Sequence, residues 1–185
     1  MRELVLDWDS DSSAVDLVPL RGYKCYETHR WDHVDLPVWT NLVEGGSDAD
    51  PVPFMEVCQV LSDYLPRFDK VIERDWKGRE EFEMKSVFAY GFNRNFSAIV
   101  NPEKGESLDS DCKLGGIGFY LRNEGIERRD LWFRIVRKLN HLPLLVHFQH
   151  FVKAQCLIND QSNLERIWDE LEVKKKKIED MWRKT

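Results

Sequence analysis

Apolar and polar residues alternate most regularly between residues 82 and 92, in the segment FEMKSVFAYGF. Its even-numbered positions carry mostly large apolar side chains, and its odd-numbered positions begin charged and end small. Because successive side chains of a strand point to opposite faces, this alternation predicts a strand with one aromatic face. A helix, at about 3.6 residues per turn, would scatter the rings around its circumference. The segment therefore predicts the central strand of a sheet.

The residues that follow predict two further strands. Residues 93 to 95 (NRN) are typical of a hairpin turn, because asparagine tolerates left-handed backbone angles. Residues 96 to 100 return as a strand, and residues 114 to 122 (LGGIGFYLR) predict a third, whose glycines indicate a bulge or a close backbone approach. We expect an antiparallel sheet with a central meander at about residues 81–122.

The first part of the chain predicts short strands and one helix. Strands are expected at residues 3–8, 23–28 and 39–43, before the loop at 45–53. Residues 54 to 65 show the i, i+3, i+4, i+7 spacing of an amphipathic helix, which Pro66 ends. Residues 68 to 72 suggest a further helical turn.

The last third predicts three helices. Asp130 is a suitable N-cap for a helix over residues 131–142, and residues 144–158 predict a second, mostly buried helix. Ser162 and Glu165 form the pattern of a capping box for the third. The chain is therefore expected to be a single α+β domain over residues 1–185, with its sheet packed against C-terminal helices.

The terminal helix carries a seven-residue repeat of apolar side chains. Leu164, Leu171 and Ile178 recur at that interval, and this stripe allows two alternatives. It can pack on the chain's own sheet, or it can form a coiled-coil seam and a homodimer through this helix.

The composition indicates a cytoplasmic protein that does not span a membrane. No run of about 18 apolar residues occurs, and the apolar stretch at the start is too short for a secretory signal. The four cysteines lie far apart without a Cys-x-x-Cys pair, which disfavours both a disulfide framework and a zinc site. No cofactor is expected.

Acidic residues are concentrated in the first third. Residues 1 to 63 contain 13 acidic and four basic residues, a balance of −9, whereas the remainder holds 20 acidic and 23 basic residues, a balance of +3. Such a distribution favours a basic protein partner and disfavours nucleic acid. The alternative is that the acidic loops serve only solubility.

Aromatic residues flanked by acids suggest where that partner would bind. Buried aromatics inside a charged rim are typical of interface hot spots. The expected partner-binding residues are Trp31, Asp32, Asp35, Trp39 and Glu44. We therefore expect a non-catalytic protein-binding module, for example an inhibitor or immunity-type protein that neutralises a basic nuclease toxin.

The alternative function is that of a metal-dependent phosphoesterase or nuclease. Glu83 and Lys85 resemble the Glu-x-Lys element of Mg²⁺-dependent nucleases, with Asp75 as the upstream acid. In that family a helix usually follows the motif strand, whereas here an aromatic strand and a hairpin follow. The resemblance implies catalysis by Asp75, Glu83 and Lys85.

A second acidic pair lies near the start of the chain. Asp7 and Asp9 resemble the Asp-x-Asp motif of haloacid dehalogenase phosphatases, which implies a nucleophilic aspartate and Mg²⁺. Ser10 and Asp11 depart from the small residue and threonine of that motif. With Asp11 the pair also resembles a calcium loop, although glycine and glutamate are missing at its sixth and twelfth positions.

Histidine and cysteine offer weaker candidates. His29 and His33 have the spacing of a helical zinc site, but no third ligand is evident. Cys156 with His150 could form a nucleophilic pair, without a third group to orient it. Structural roles are expected for these residues, and no metal site is predicted.

Overall fold

The computed structural model describes residues 1–7, 15–21, 23–31, 34–41, 49–74, 81–104, 108–109, 111–121, 126–148 and 154–182. Within these residues the chain forms eleven strands and three helices: β1 Glu3–Asp7, β2 Val15–Pro19, β3 Tyr23–Trp31, β4 Val34–Asn41, α1 Phe54–Ser62, β5 Lys70–Arg74, β6 Glu81–Glu83, β7 Phe88–Asn93, β8 Phe96–Pro102, β9 Leu114–Leu121, α2 Ile126–Leu139, β10 Leu144–Phe148, β11 Ala154–Leu157 and α3 Gln161–Trp182.

The described strands form three sheets. Six antiparallel strands make the largest sheet, in the order β11-β10-β2-β9-β8-β7. A small sheet has the order β1-β5-β6, with β1 parallel to β5, and β3 pairs with β4 alone in a two-stranded ribbon. The predicted α+β class and the antiparallel meander, here β7-β8-β9, are confirmed.

The two faces of the six-stranded sheet bury different clusters. One face packs against the helices, and on β8 it presents Phe96, Ala98 and Val100, which are fully buried. The opposite face presents Ala89 and Ile99, which pack with Leu4 and Phe68 at the small sheet. Alternation along each strand therefore creates a helix layer on one side and a second sheet on the other.

An aromatic cluster joins the helices to the large sheet. The fully buried Trp132 of α2 lies 4.7 Å from Trp168 of α3 and 5.0 Å from Phe133, measured between ring centroids. Its ring also lies 6.3 Å from Phe119 of β9 and 6.3 Å from Phe148 of β10. These edge and tilted contacts are the geometries that aromatic pairs favour.

The N-terminal segment is attached to the edge of the large sheet by Arg2. Its guanidinium donates to the Gly91 carbonyl at 2.8 Å and the Arg67 carbonyl at 3.1 Å, and lies 4.6 Å from the centre of the Phe68 ring. The outer edge of β7 is also paired, because Phe68 N–H donates to the Ala89 carbonyl and Gly91 N–H to the Pro66 carbonyl. These bonds protect what would otherwise be an open sheet edge.

The predicted central strand over residues 82–92 is wrong in two respects. The segment divides into β6, which ends at Glu83, and β7, which begins at Phe88, and these strands belong to different sheets. β7 is also at the edge of its sheet, not at its centre. The alternation correctly predicts the strand β7. The predicted strand was wrong in continuing across the turn between β6 and β7.

The predicted helix over residues 144–158 is also wrong, because residues 144–148 and 154–157 form the antiparallel strands β10 and β11. Leu144, Leu145 and Val146 are all buried, so both faces of β10 are covered. A strand buried on both faces gives a continuous apolar run without period-two alternation, which periodicity cannot distinguish from a buried helix.

Several local predictions also need correction. Residues 70–74 form β5 instead of a helical turn, and β2 and most of β4 were not predicted. α2 begins at Ile126, before the predicted cap Asp130. The side chain that caps α3 is Asp160, whose carboxylate accepts from Asn163 N–H at 3.3 Å, and not Ser162.

The terminal helix uses the first part of its heptad stripe within the chain. Leu164 is fully buried in the main core, and Leu171 packs against it. The alternative of packing on the chain's own core therefore applies to these two positions. Dimerisation through the remainder of α3 stays a prediction. In the described part of the chain, no helix has the length and apolar character needed to cross a membrane.

Candidate functional site

The second face of the six-stranded sheet contains a groove whose floor is β9. Gly116 and Gly118 of β9 occupy the positions that would otherwise place side chains on this face. Their neighbours across the ladder are Asp16 on β2, opposite Gly118, and Asn101 on β8, opposite Gly116. Because glycine has no side chain, the two adjacent strands border a trough.

The trough, which we call the glycine groove, has a volume of about 270 Å³. Its lining combines apolar and polar groups: Asp16, Val18, Met84, Ile99, Asn101, Gly116, Ile117, Gly118 and Tyr120. This volume is slightly below the roughly 300–1,000 Å³ typical of small-molecule sites. The groove therefore suits a single long side chain better than a cofactor.

Nearby carboxylates raise the pKa of a tyrosine that lines the glycine groove. Burial raises the pKa of Tyr120 above its usual range, and the nearby charges of Asp16 and Glu73 raise it further. Tyr120 is therefore a neutral hydroxyl that can donate or accept a hydrogen bond. No lysine or arginine is present among the described residues that line the groove. Both of the charged groups that act on Tyr120 are negative.

His147 of β10 lies beyond Asp16 on the same face. The two residues are direct partners in the β10-β2 ladder. Burial lowers the pKa of His147 and the charge of Asp16 opposes this effect, so the ring is neutral at pH 7. Its Nε2 is 3.4 Å from Gln155 Nε2, and Tyr23 of the ribbon approaches its ring edge-on at 5.6 Å. The histidine is thus held between three elements.

Comparison with protein-family models, curated proteins and solved structures finds no match for this chain.

The predicted partner-binding residues lie on or beside the β3-β4 ribbon. Trp31 ends β3 opposite Val34, whereas Trp39 pairs with Cys25 near the other end of the ribbon. At about 3.3 Å per residue, these tryptophan positions are roughly 20 Å apart along β3. Asp35 lies opposite Arg30 in the β3-β4 ladder. Asp32 and Glu44 lie outside the described residues, so the ribbon does not bring the five together at one point in its described part.

The residues of the nuclease-like alternative are placed differently from the expected motif. Glu83 is the last residue of β6, and Lys85 belongs to the turn that follows, so one strand does not carry both. The Glu83 carboxylate lies 4.0 Å from Lys70 Nζ and is exposed. Asp75 lies outside the described residues. Asp7 ends β1 as expected, but Asp9 also lies outside them.

Metal and nucleophile candidates find no support among the described residues. No group of three or more potential ligands occurs there that could hold a metal ion. His29 is on β3, while His33 and His150 lie outside the described residues. Cys156 is buried, and its thiol donates to the carbonyl of Leu157 at 3.4 Å. Burial raises the pKa of this thiol to about 12, which suppresses the nucleophilic thiolate.

The buried thiols give a testable prediction. Burial raises the pKa of Cys58 to about 11, from 9.0, and its sulfur is hydrogen-bonded to Tyr90. At pH 8 we expect Cys58 and Cys156 to react with Ellman's reagent at least about a hundredfold more slowly than in the unfolded chain, from thiolate fraction alone. A Cys25→Ser protein, measured with and without denaturant, isolates the buried thiols, and rapid reaction of the native form would contradict their burial.

The raised pKa values of Cys58 and Cys156 also determine how the stability of the fold changes at alkaline pH. The folded state keeps the protons of Cys58 and Cys156 above pH 9, where unfolded thiols release them. Stability contributed by these groups is therefore complete below pH 9 and declines as pH rises towards their folded pKa values.

The sequence interpretation missed Asp16, Tyr120 and the groove floor. The available signal was the pair of glycines two residues apart in the strand segment LGGIGFYLR, since glycine inside a strand marks a close approach or an open face. Asp16 could not be connected with them, because its pairing with Gly118 spans about a hundred residues of sequence.

Proposed function

We propose that this protein is a cytoplasmic, non-catalytic binding module for a basic protein, of the inhibitor or immunity type, with a nuclease toxin as the class of partner. The observation that carries the proposal is the charge balance of −9 over residues 1–63. A surface of this sign accelerates encounter with a basic protein and repels the phosphates of nucleic acids.

The topology supports this proposal. The acidic third contributes β2 at the middle of the large sheet and the β3-β4 ribbon, which forms a separate two-stranded sheet among the described residues. A ribbon of this kind can present backbone and side chains to a partner. The side chains of Cys58, Cys112 and Cys156 are buried, which is consistent with a reducing compartment.

The test begins with affinity capture by the full chain at low and high salt, followed by reconstitution with the purified partner. We expect a partner of high isoelectric point whose association slows as salt is added. A variant that combines Asp32→Asn, Asp35→Asn and Glu44→Gln should reduce the association rate roughly tenfold at low salt, because steering depends on these charges.

A matched variant controls for total charge. Asp130→Asn, Glu170→Gln and Asp180→Asn remove the same number of acids from α2 and α3, outside the acidic third. We expect this protein to associate nearly as fast as the parent. Equal slowing by both variants, or binding that is insensitive to salt, would contradict the proposal.

A further inference from the structure

The glycine groove points to a more specific mode of recognition. We propose that it binds one arginine side chain displayed by the basic partner protein. The inference rests on the proposed function and adds the site at which the partner is held.

The size and lining of the groove match this occupant. A volume of about 270 Å³ admits a long side chain, and Val18, Ile99 and Met84 supply apolar surface for its methylene stem. The carboxylate of Asp16 on the β2 side, the amide of Asn101 on the β8 side and the hydroxyl of Tyr120 on β9 supply polar groups around the trough. Long cationic side chains bury their stems in this way while their heads remain hydrogen-bonded.

The charge and chemistry favour arginine over lysine. Asp16 and Glu73 both act electrostatically on Tyr120, so a cation placed beside this ring meets negative potential. A guanidinium is planar, is less strongly hydrated than an ammonium, and stacks on aromatic faces such as that of Tyr120. It also offers five donors in a fixed fork, which suits several acceptors in one small site.

The groove stays open because of Gly116. A methyl group added there would lie 3.4 Å from the Leu17 carbonyl oxygen and 3.8 Å from Val18 Cγ1, which are ordinary contact distances. The backbone therefore accommodates an alanine at this position, and we expect the branched side chain of Gly116→Val to fill the trough.

The experiment is an NMR titration of the full chain with N-acetyl-arginine methylamide. Backbone amide signals of Gly116, Gly118 and Tyr120 are expected to shift saturably. The citrulline analogue, which has nearly the same shape without charge, should bind roughly tenfold more weakly or worse, since charge-assisted hydrogen bonds are lost. The lysine analogue should bind more weakly than arginine.

Two variants define the site. Gly116→Val should abolish the shifts, and Gln155→Val, which places a branched side chain on the same face three strands from β9, should leave them unchanged. If Gly116→Val does not fold, Gly116→Ala should still weaken arginine binding. Equal binding of arginine and citrulline, tighter binding of lysine, or shifts that survive the glycine substitutions would each overturn the assignment.

Failure of this inference differs from failure of the proposed function. If the purified basic partner binds Gly116→Val as tightly as the parent, the groove is not the docking site but the module still binds a basic protein. If no basic partner binds at any salt concentration, the proposed function fails, and the arginine titration still reports independently on the groove.

Discussion

Replacing Trp132 with alanine is expected to lower the free energy of unfolding by about 3–5 kcal/mol, the range for truncating a large buried aromatic. The side chain is fully buried and contacts rings from β9, β10, α2 and α3. Its removal would leave a cavity where the helices join the sheet. Urea unfolding followed by far-ultraviolet circular dichroism measures the effect without interference from the other tryptophans.

Two further variants make this prediction specific. Trp132→Phe should cost less, because it keeps an aromatic ring and removes an indole N–H that has no hydrogen-bond partner in the described structure. Val173→Ala, at a side chain that is 50% exposed, should change stability by no more than about 0.5 kcal/mol. A loss below about 1 kcal/mol for Trp132→Ala would show that this cluster does not hold the layers together.

Gly91→Ala is expected to destabilise the fold by about 2–4 kcal/mol, from backbone strain together with overpacking. Gly91 has φ of +152°, which a residue with a side chain rarely adopts. An added Cβ would lie 2.6 Å from Ser97 Cα and would also collide with the Phe96 carbonyl oxygen. The substitution would disturb the β7-β8 pairing and the hydrogen bond from Arg2.

Gly116→Ala is the matched control, since it makes the same chemical change on another strand of the same sheet. Its added methyl meets only ordinary contacts, and its effect on unfolding should stay within about 1 kcal/mol. Thermal unfolding of both proteins under one set of conditions compares them directly. Equal destabilisation would contradict the backbone geometry assigned to Gly91.

The elements that could be predicted from the sequence are those in which apolar side chains close together along the chain lie on one buried face. α1 begins at Phe54, as the i, i+3, i+4, i+7 spacing indicated, because only one face of that helix is buried. The hairpin that joins β7 to β8 also follows from local chemistry: the Asn93 side chain accepts from the N–H of Asn95 at 2.8 Å. Such elements depend on residues that are neighbours along the chain.

Elements that depend on distant pairing could not be predicted in this way. β10 is covered on both faces, so its pattern resembled that of a buried helix. β1 pairs in parallel with β5, nearly 70 residues later, and nothing in either segment specifies the other. The glycine groove has the same origin, since its wall and floor come from β2 and β9.

The position of β2 also has a consequence for biosynthesis. This strand lies between β9 and β10, so Leu17 is opposite Ile117 and Val146. At a translation rate of about 5–20 residues per second, the first of these neighbours leaves the ribosome roughly 5–20 s after β2. During that interval β2 has neither of its strand partners, β9 and β10. We therefore infer that the large sheet assembles only after synthesis has passed β9, and that nascent chains arrested earlier expose β2 to chaperones and proteases.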